Sequence, residues 1–431
     1  MDRYDDVVVG GGVAGIIAAI LQVQKGRKVL LLEQSSSAGG LLQTYTSSGY
    51  QFDYGTHFLA ETGIAGLDEL LFRNVCKSDW IEFSYLKSGH YVNNALCEKS
   101  QAIDANTLED GDLSKGALEL INAAASRKES YINLEEQLNA NFGKTYSSKL
   151  IIPAVEKLFK TQVNELSQNV HHIFGLTRLQ SFSVDSTKLL KEISDFDDVI
   201  AYHSHKEGLT GLKRFYPKQG GIGVWVNSLL ELFLKYGGEV KYNQSVSSIE
   251  CHDSKVSAVK LGEASIGLKH LIWTAPAIFL AKLIGVHNGL ANKPLSFLNT
   301  FLFNLVLDQA PITDIFCYNN YQPDMMHFRT TIYSNIQPVT DNQHRVTVEV
   351  FTKSHELECP LTPMHVLNEL IRCGVFASTV KIVHSNTKLL CNSFPVLTNE
   401  FFLHQKAQVA LINDNVSNVS LYGKARGDIF L

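Results

Sequence analysis

The stretch VVVGGGVAGIIAA, from Val7 to Ala19, constrains this chain more than any other. A run this apolar could begin a membrane span, but its glycines crowd together at Gly10, Gly11, Gly12 and Gly15 instead of being spread along it. Read by period, DDVVV is a short β-branched strand buried on both faces, and AGIIAAILQVQKG is a helix closed by Gly26. KVLLLE, from Lys28 to Glu33, is a second strand. Together they make a βαβ unit with the turn Gly10-x-Gly12-x-x-Gly15, the dinucleotide-binding fingerprint in its required context.

Each position in the unit has its own role. Gly10 permits the tight turn, Gly12 lets the backbone approach a pyrophosphate, and Gly15 allows close packing of helix on strand. The helix start at Val13 and Ala14 offers free N–H groups and a partial positive charge to the phosphates. Glu33, beside Gln34 at the tip of the second strand, is placed to accept hydrogen bonds from ribose hydroxyls. A carboxylate there, with no arginine beside it, argues against a 2′-phosphate. The fingerprint alone leaves NAD and FAD both open.

A length of 431 residues exceeds one compact core and predicts two or three domains. The net charge of -5, with Lys and Arg scattered, gives nucleic acid nothing electrostatic to bind. The 7 cysteines lie far apart with no CxxC, which predicts reduced, mostly buried thiols and no metal site. The opening MDRYDD is acidic where an export signal is basic, so a cytoplasmic protein with no transmembrane segment is expected. There is no HExxH and no Ser-His-Asp order to supply a competing chemistry.

The next stretch, EQSSSAGGLLQTYTSSGYQFDYGTHFL from Glu33 to Leu59, joins an acid, a polar loop, Gly39-Gly40 and Asp53-x-Gly55-x-His57. It resembles the flavin amine oxidase superfamily, which includes protoporphyrinogen oxidases, phytoene desaturases and UDP-galactopyranose mutases. The resemblance implies FAD as cofactor, with Gly39, Gly40, Leu41 and Leu42 near its pyrophosphate. It sets Gly55, Thr56 and His57 beside the flavin ring, with His57 as the candidate catalytic base. The likeness continues in order along the chain. YPKQGGIG, with Gly220 and Gly221, matches a glycine turn beside the flavin, and Val246 matches a residue at a strand end whose backbone holds adenine. Thr274-Ala275-Pro276 matches the turn away from the cofactor, and Gly423-x-x-Arg426 the last flavin-binding turn. Relatives carry a helix after that turn, whereas this sequence ends at Leu431, so a difference at that edge of the flavin is expected.

The expected fold is α/β. A discontinuous Rossmann-like FAD domain (1–65, 206–290 and 390–431) carries an α+β substrate domain, with a helical cap at 66–205 and an antiparallel sheet at 291–389. Alternation from His327 places Arg329, Thr331, Tyr333 and Asn335 on one strand face, with His327 sharing it. An arginine, a phenol and an amide suit an anionic, hydroxyl-rich ligand, and Arg178 on a predicted helix is a further candidate contact. The reading is an FAD-dependent oxidoreductase of the amine oxidase type, acting on a small polar substrate such as an amine or amino sugar. The alternatives are a UDP-sugar mutase of polysaccharide biosynthesis using reduced FAD, and a flavin-binding protein without turnover. The oligomeric state is left open.

Overall fold

The computed structural model of the chain describes residues 2–72, 77–124, 130–286, 295–339, 342–358 and 361–427. The β-branched opening forms strand β1 (Asp2–Val9), which is followed by helix α1 (Val13–Val23) and strand β2 (Val29–Leu32), as the periodicity predicts. β1 lies at the centre of a sheet, parallel to β2 on one side and to Ala264–Trp273 on the other. Val7, Val8, Leu30, Leu31, Leu271 and Ile272 are fully buried, the pattern of strands covered on both faces. α1 and the helix Gly223–Lys235 cover one face through Ile16, Val226 and Phe233, while Leu280 and Ile412, from two further helices, cover the other.

Glu239–Lys241 pairs with β2, and Val419–Leu421 pairs with Leu271–Trp273, so the nucleotide domain is assembled from well-separated parts of the chain. The segment after Glu239–Lys241 forms the hairpin Ser248–His252 with Lys255–Leu261, turning through left-handed Asp253 and Ser254. Val246 therefore precedes a strand instead of ending one.

The second sheet has seven strands in the order Ile382–Pro395, Phe297–Leu307, His344–Lys353, His327–Ile332, Cys317–Asn320, Ser88–Val92 and Ala95–Cys97. Its last two strands come from the region expected to be mainly helical. They are joined through Asn93 and Asn94, both left-handed, a tight turn that the surrounding helical pattern hides. The cap helices Asp110–Ala124, Leu134–Tyr146 and Ile152–Phe159 build a core in which Phe142, Tyr146 and Phe159 join Phe328, Phe351 and Phe394 from the sheet. Lys157 pins cap to sheet: its Nζ donates to the carbonyls of Asn320 and Gln322, both at 2.8 Å.

The expected polar strand face is not continuous. His327 lies opposite Val350 and Arg329 opposite Glu349, so Phe328 is an extra residue, a β-bulge. His327 and Arg329 consequently face opposite sides of the sheet. The strand stops at Ile332, and Tyr333–Asn335 form a single 3-10 turn. Arg178 is not on a helix either; it precedes the two-residue strand Leu179–Gln180.

Of the described cysteines, Cys317 and Cys373 are buried, Cys97 is half-buried and Cys251 and Cys391 are exposed, so burial is less general than expected. Cys76, Cys359 and residues 428–431 lie outside the described residues. Among the described residues no helix is long and apolar enough to cross a membrane.

Candidate cofactor and substrate site

The three fingerprint glycines answer different demands. Gly10 has φ +106°, and a side-chain carbon there would stand 2.3 Å from Thr274 Oγ1. A carbon on Gly15 would stand 1.9 Å from the carbonyl oxygen of Gly10, so helix and strand meet only through glycine. A carbon on Gly12 would meet nothing within 4 Å, so Gly12 faces open space. At that open side begin the N–H groups of Val13, Ala14 and Gly15, which have no carbonyl of a preceding turn to bond. Gly423 closes on the same helix start, its added carbon falling 3.2 Å from Ala14 Cβ, while Arg426 is exposed one turn later.

Beside the turn, Gly10, Glu33, Gln34, Val246, Trp273, Ala275 and Phe279 line a cavity of about 410 Å³. Glu33 is held by two main-chain donors, Gly11 N at 2.7 Å and Ser35 N at 2.8 Å. Gly39 N donates to Gly11 O at 2.7 Å, and an added carbon on Gly40 would reach Gly12 Cα at 3.5 Å. The residues present thus fit the ADP half of FAD, with a side-chain-free approach, orphan N–H groups and a carboxylate lining the adjoining cavity. Leu42 packs into the core beneath, and Leu41 is partly exposed, its backbone next to His57.

Gly220 and Gly221 serve another contact. A carbon on Gly221 would fall 2.1 Å from Asp53 Oδ1, and the turn packs against the hairpin of Thr44–Ser47 and Tyr50–Asp53. Asp53 accepts from Thr44 Oγ1 and Tyr216 Oη, both at 2.5 Å, and from Ile222 N at 2.9 Å. Burial pushes its carboxyl up, partly offset by these donors. Asp53 is therefore the bolt between the two glycine-rich segments.

Two residues further on, the loop of Gly55, Thr56 and His57 is fixed from the sheet. Glu349 accepts the Thr56 N–H at 3.0 Å and binds Arg329 in fork geometry, Nε at 2.6 Å and Nη2 at 2.8 Å. Burial alone would lower the Arg329 pKa, but the Glu349 charge outweighs it and the net direction is up. Burial, aided by the Arg329 charge, pushes His57 down to about 4, so its ring is neutral at pH 7. Its Nε2 lies 3.2 Å from the Tyr54 carbonyl oxygen. Lys388 lies 4.8 Å and 4.7 Å over the rings of Tyr45 and Tyr54.

The residues expected to hold an anionic substrate are already engaged. Arg329 is paired with Glu349. Tyr333 Oη accepts Asp53 N at 3.0 Å, and Asn335 Nδ2 donates to the carbonyls of Thr313 at 2.9 Å and Ile315 at 2.8 Å. Arg178 Nε donates to the Asp197 carbonyl, and Nη2 lies 3.4 Å from the Asp197 carboxylate. The sequence reading missed Glu349, which shares the polar alternates of RVTVEV with Arg345 and Thr347 and therefore reads there as solvent-facing.

Comparison with known proteins agrees with this geometry. Residues 8–67 match the family model described as NAD(P)-binding Rossmann-like domain. An inactive all-trans-retinol 13,14-reductase of Danio rerio is 25% identical over 294 residues, 62% of this chain and 46% of that protein. A 1-hydroxycarotenoid 3,4-desaturase of Flavobacterium sp. (strain P99-3) is 25% identical over 283 residues, 59% of this chain and 52% of that protein. The chain thus spans about half the length of these curated relatives. Among solved structures, a reduced UDP-galactopyranose mutase superposes with a TM-score of 0.77 at 16% identity, covering 98% of this chain and 90% of the other. The fold is thus that of the reduced UDP-galactopyranose mutase structure, and a dinucleotide-binding Rossmann unit occupies residues 8–67.

Proposed function

We propose that the chain is an FAD-dependent oxidoreductase acting at a C–C or C–N bond of a small molecule. Bound FAD supplies two-electron chemistry, taking up or returning a hydride. Gly10 to Gly15, Glu33 and Val246 hold its ADP half, and Gly39 and Gly40 approach the pyrophosphate. The Glu349–Arg329 pair keeps the loop of Gly55 to His57 in register with them. His57, the candidate base, is neutral at pH 7, and burial with the Arg329 charge makes it a weak one.

The observation that supports redox chemistry over a sugar-nucleotide mutase is the engagement of both candidate arginines. Arg329 and Arg178, the two arginines the sequence offers for a diphosphate, are bonded to Glu349 and Asp197. The two curated relatives above are named for reactions at carbon–carbon bonds, which also favours a less polar substrate than an amine or amino sugar. The absorbance spectrum of the purified chain tests the cofactor, because oxidised flavin is yellow. Anaerobic titration with putrescine, retinol and a hydroxycarotenoid tests the reaction. Bleaching by one of them supports oxidation; turnover of UDP-galactopyranose only after dithionite reduction would replace it with the mutase reading; a stable yellow protein inert to all would leave flavin binding alone.

A further inference from the structure

A second cavity of about 290 Å³ opens where the nucleotide domain meets the large sheet, and it shares no residue with the cavity at Gly10 and Glu33. Its volume is that of about ten waters. The described residues lining it include Arg345 and Lys218 and no carboxylate; the other polar side chains are Tyr50, Tyr333, Ser334 and four glutamines.

Arg345 is fixed by uncharged acceptors and forms no salt bridge among the described residues, with the buried Asp53 carboxyl the nearby charge it acts on. Its Nη1 donates to the Gln51 carbonyl, its Nη2 donates to Gln337 Oε1 at 2.6 Å, and the guanidinium lies 5.2 Å over the Tyr333 ring. Both acceptors are uncharged, and three of the five guanidinium N–H donors remain for a ligand. Gln337 is locked in turn, its Nε2 donating to the carbonyls of Pro217 at 2.7 Å and Gly220 at 2.9 Å. On the same wall Ser334 Oγ is shielded from solvent yet has no partner, an uncommon state that an incoming acceptor would relieve. A rigid guanidinium without a salt bridge among the described residues, a lysine at the exposed rim and an unsatisfied hydroxyl make an oxyanion receptor.

We infer that this cavity binds a small phosphorylated or carboxylated molecule, its oxyanion on the Arg345 fork with Lys218 closing the charge, at a site separate from the flavin. The inference does not depend on the proposed redox activity.

Isothermal titration calorimetry of the full chain, saturated with FAD so that the phosphate-binding turn is filled, tests it. Inorganic phosphate and malonate are titrated separately at constant ionic strength, with chloride as the blank. Saturable binding of one or both is expected, weakened about tenfold or more by Arg345→Gln and about threefold by Lys218→Gln. The two anions distinguish a phosphate ligand from a carboxylate ligand. Heats equal to the chloride blank, or binding unchanged in both variants, would overturn the inference. Lys218 is exposed, so its variant decides the matter if Arg345→Gln does not fold. A chain that takes up no flavin is titrated as purified, which separates failure of this inference from failure of the redox reading.

Discussion

The Glu349 carboxylate stands 2.9 Å from the point that a side-chain carbon on Gly55 would occupy, so a strand of the substrate sheet fixes the shape of a loop of the nucleotide domain. Replacing Glu349 by glutamine keeps the shape and removes the charge that Arg329 needs. A fully buried pair broken in this way costs about 3–5 kcal/mol. The Arg329 side chain is 30% exposed, so about 2 kcal/mol of lost stability is expected, read from urea unfolding. Gly55→Ala is costly for a second reason, its φ of +107°. In a double-mutant cycle, Glu349→Ala therefore relieves the steric part of the Gly55→Ala loss and leaves the backbone part.

Gly12 and Gly15 separate folding from cofactor binding. Gly12→Ala adds a methyl group in open space at φ −68°, so stability without cofactor stays within about 0.5 kcal/mol of the parent, while the Kd for FAD rises tenfold or more. Gly15→Ala drives its methyl into the Gly10 carbonyl and lowers the melting temperature even before FAD is added. Thermal melting and quenching of flavin fluorescence report the two effects. Equal loss of stability in both variants would contradict the assignment of Gly12 to the ligand side.

The His57 ring predicts a pH dependence with a definite sign. An unfolded histidine takes up its proton near pH 6.5, and His57 in the folded chain does so at about 4. Between these values the unfolded chain binds more protons. The His57 share of stability is therefore complete above about pH 6.5 and is lost as pH falls towards 4. Titration of the His57 ring nitrogens by NMR should place its midpoint far below that of an exposed histidine, and His57→Asn should flatten the stability curve in that window. A midpoint near 6.5 would sink the claim.

Asp53 joins three donors from two parts of the chain, Thr44 in its own hairpin and Tyr216 and Ile222 in the segment before the helix Gly223–Lys235. Asp53→Ala leaves the Tyr216 hydroxyl buried without its acceptor, and a loss of about 3 kcal/mol is expected by denaturant unfolding. A loss below about 1 kcal/mol would mean that the glycine turn at 220–221 is held by other contacts.

The cofactor half of this protein was legible because its demands are local. Gly10, Gly12 and Gly15 belong to one βαβ unit, and a short sequence window contains all of them, although the crowding at Gly10 comes from Thr274 on a distant segment. The substrate half depends on partners far apart in the chain. Nothing near Arg329 announces Glu349, and nothing near Arg178 marks Asp197 as its acceptor. Alternation along 327–335 also misled, because the bulge at Phe328 reverses the side on which His327 projects and the turn at Tyr333 ends the strand. One extra residue outweighs an otherwise regular period of two. The Gly220–Gly221 turn is expected beside the flavin; within the protein Gly221 makes room for the Asp53 carboxyl and Gly220 for Val224.

The strand Ala264–Trp273 has Asp2–Val9 on one side and Val419–Leu421 on the other. The first and last strands described thus become near neighbours through a middle piece synthesised long after one and long before the other. During translation the glycine cradle therefore precedes most of the polypeptide that completes its sheet, and a nascent chain that stops short of Val419 lacks one of the strands that support it.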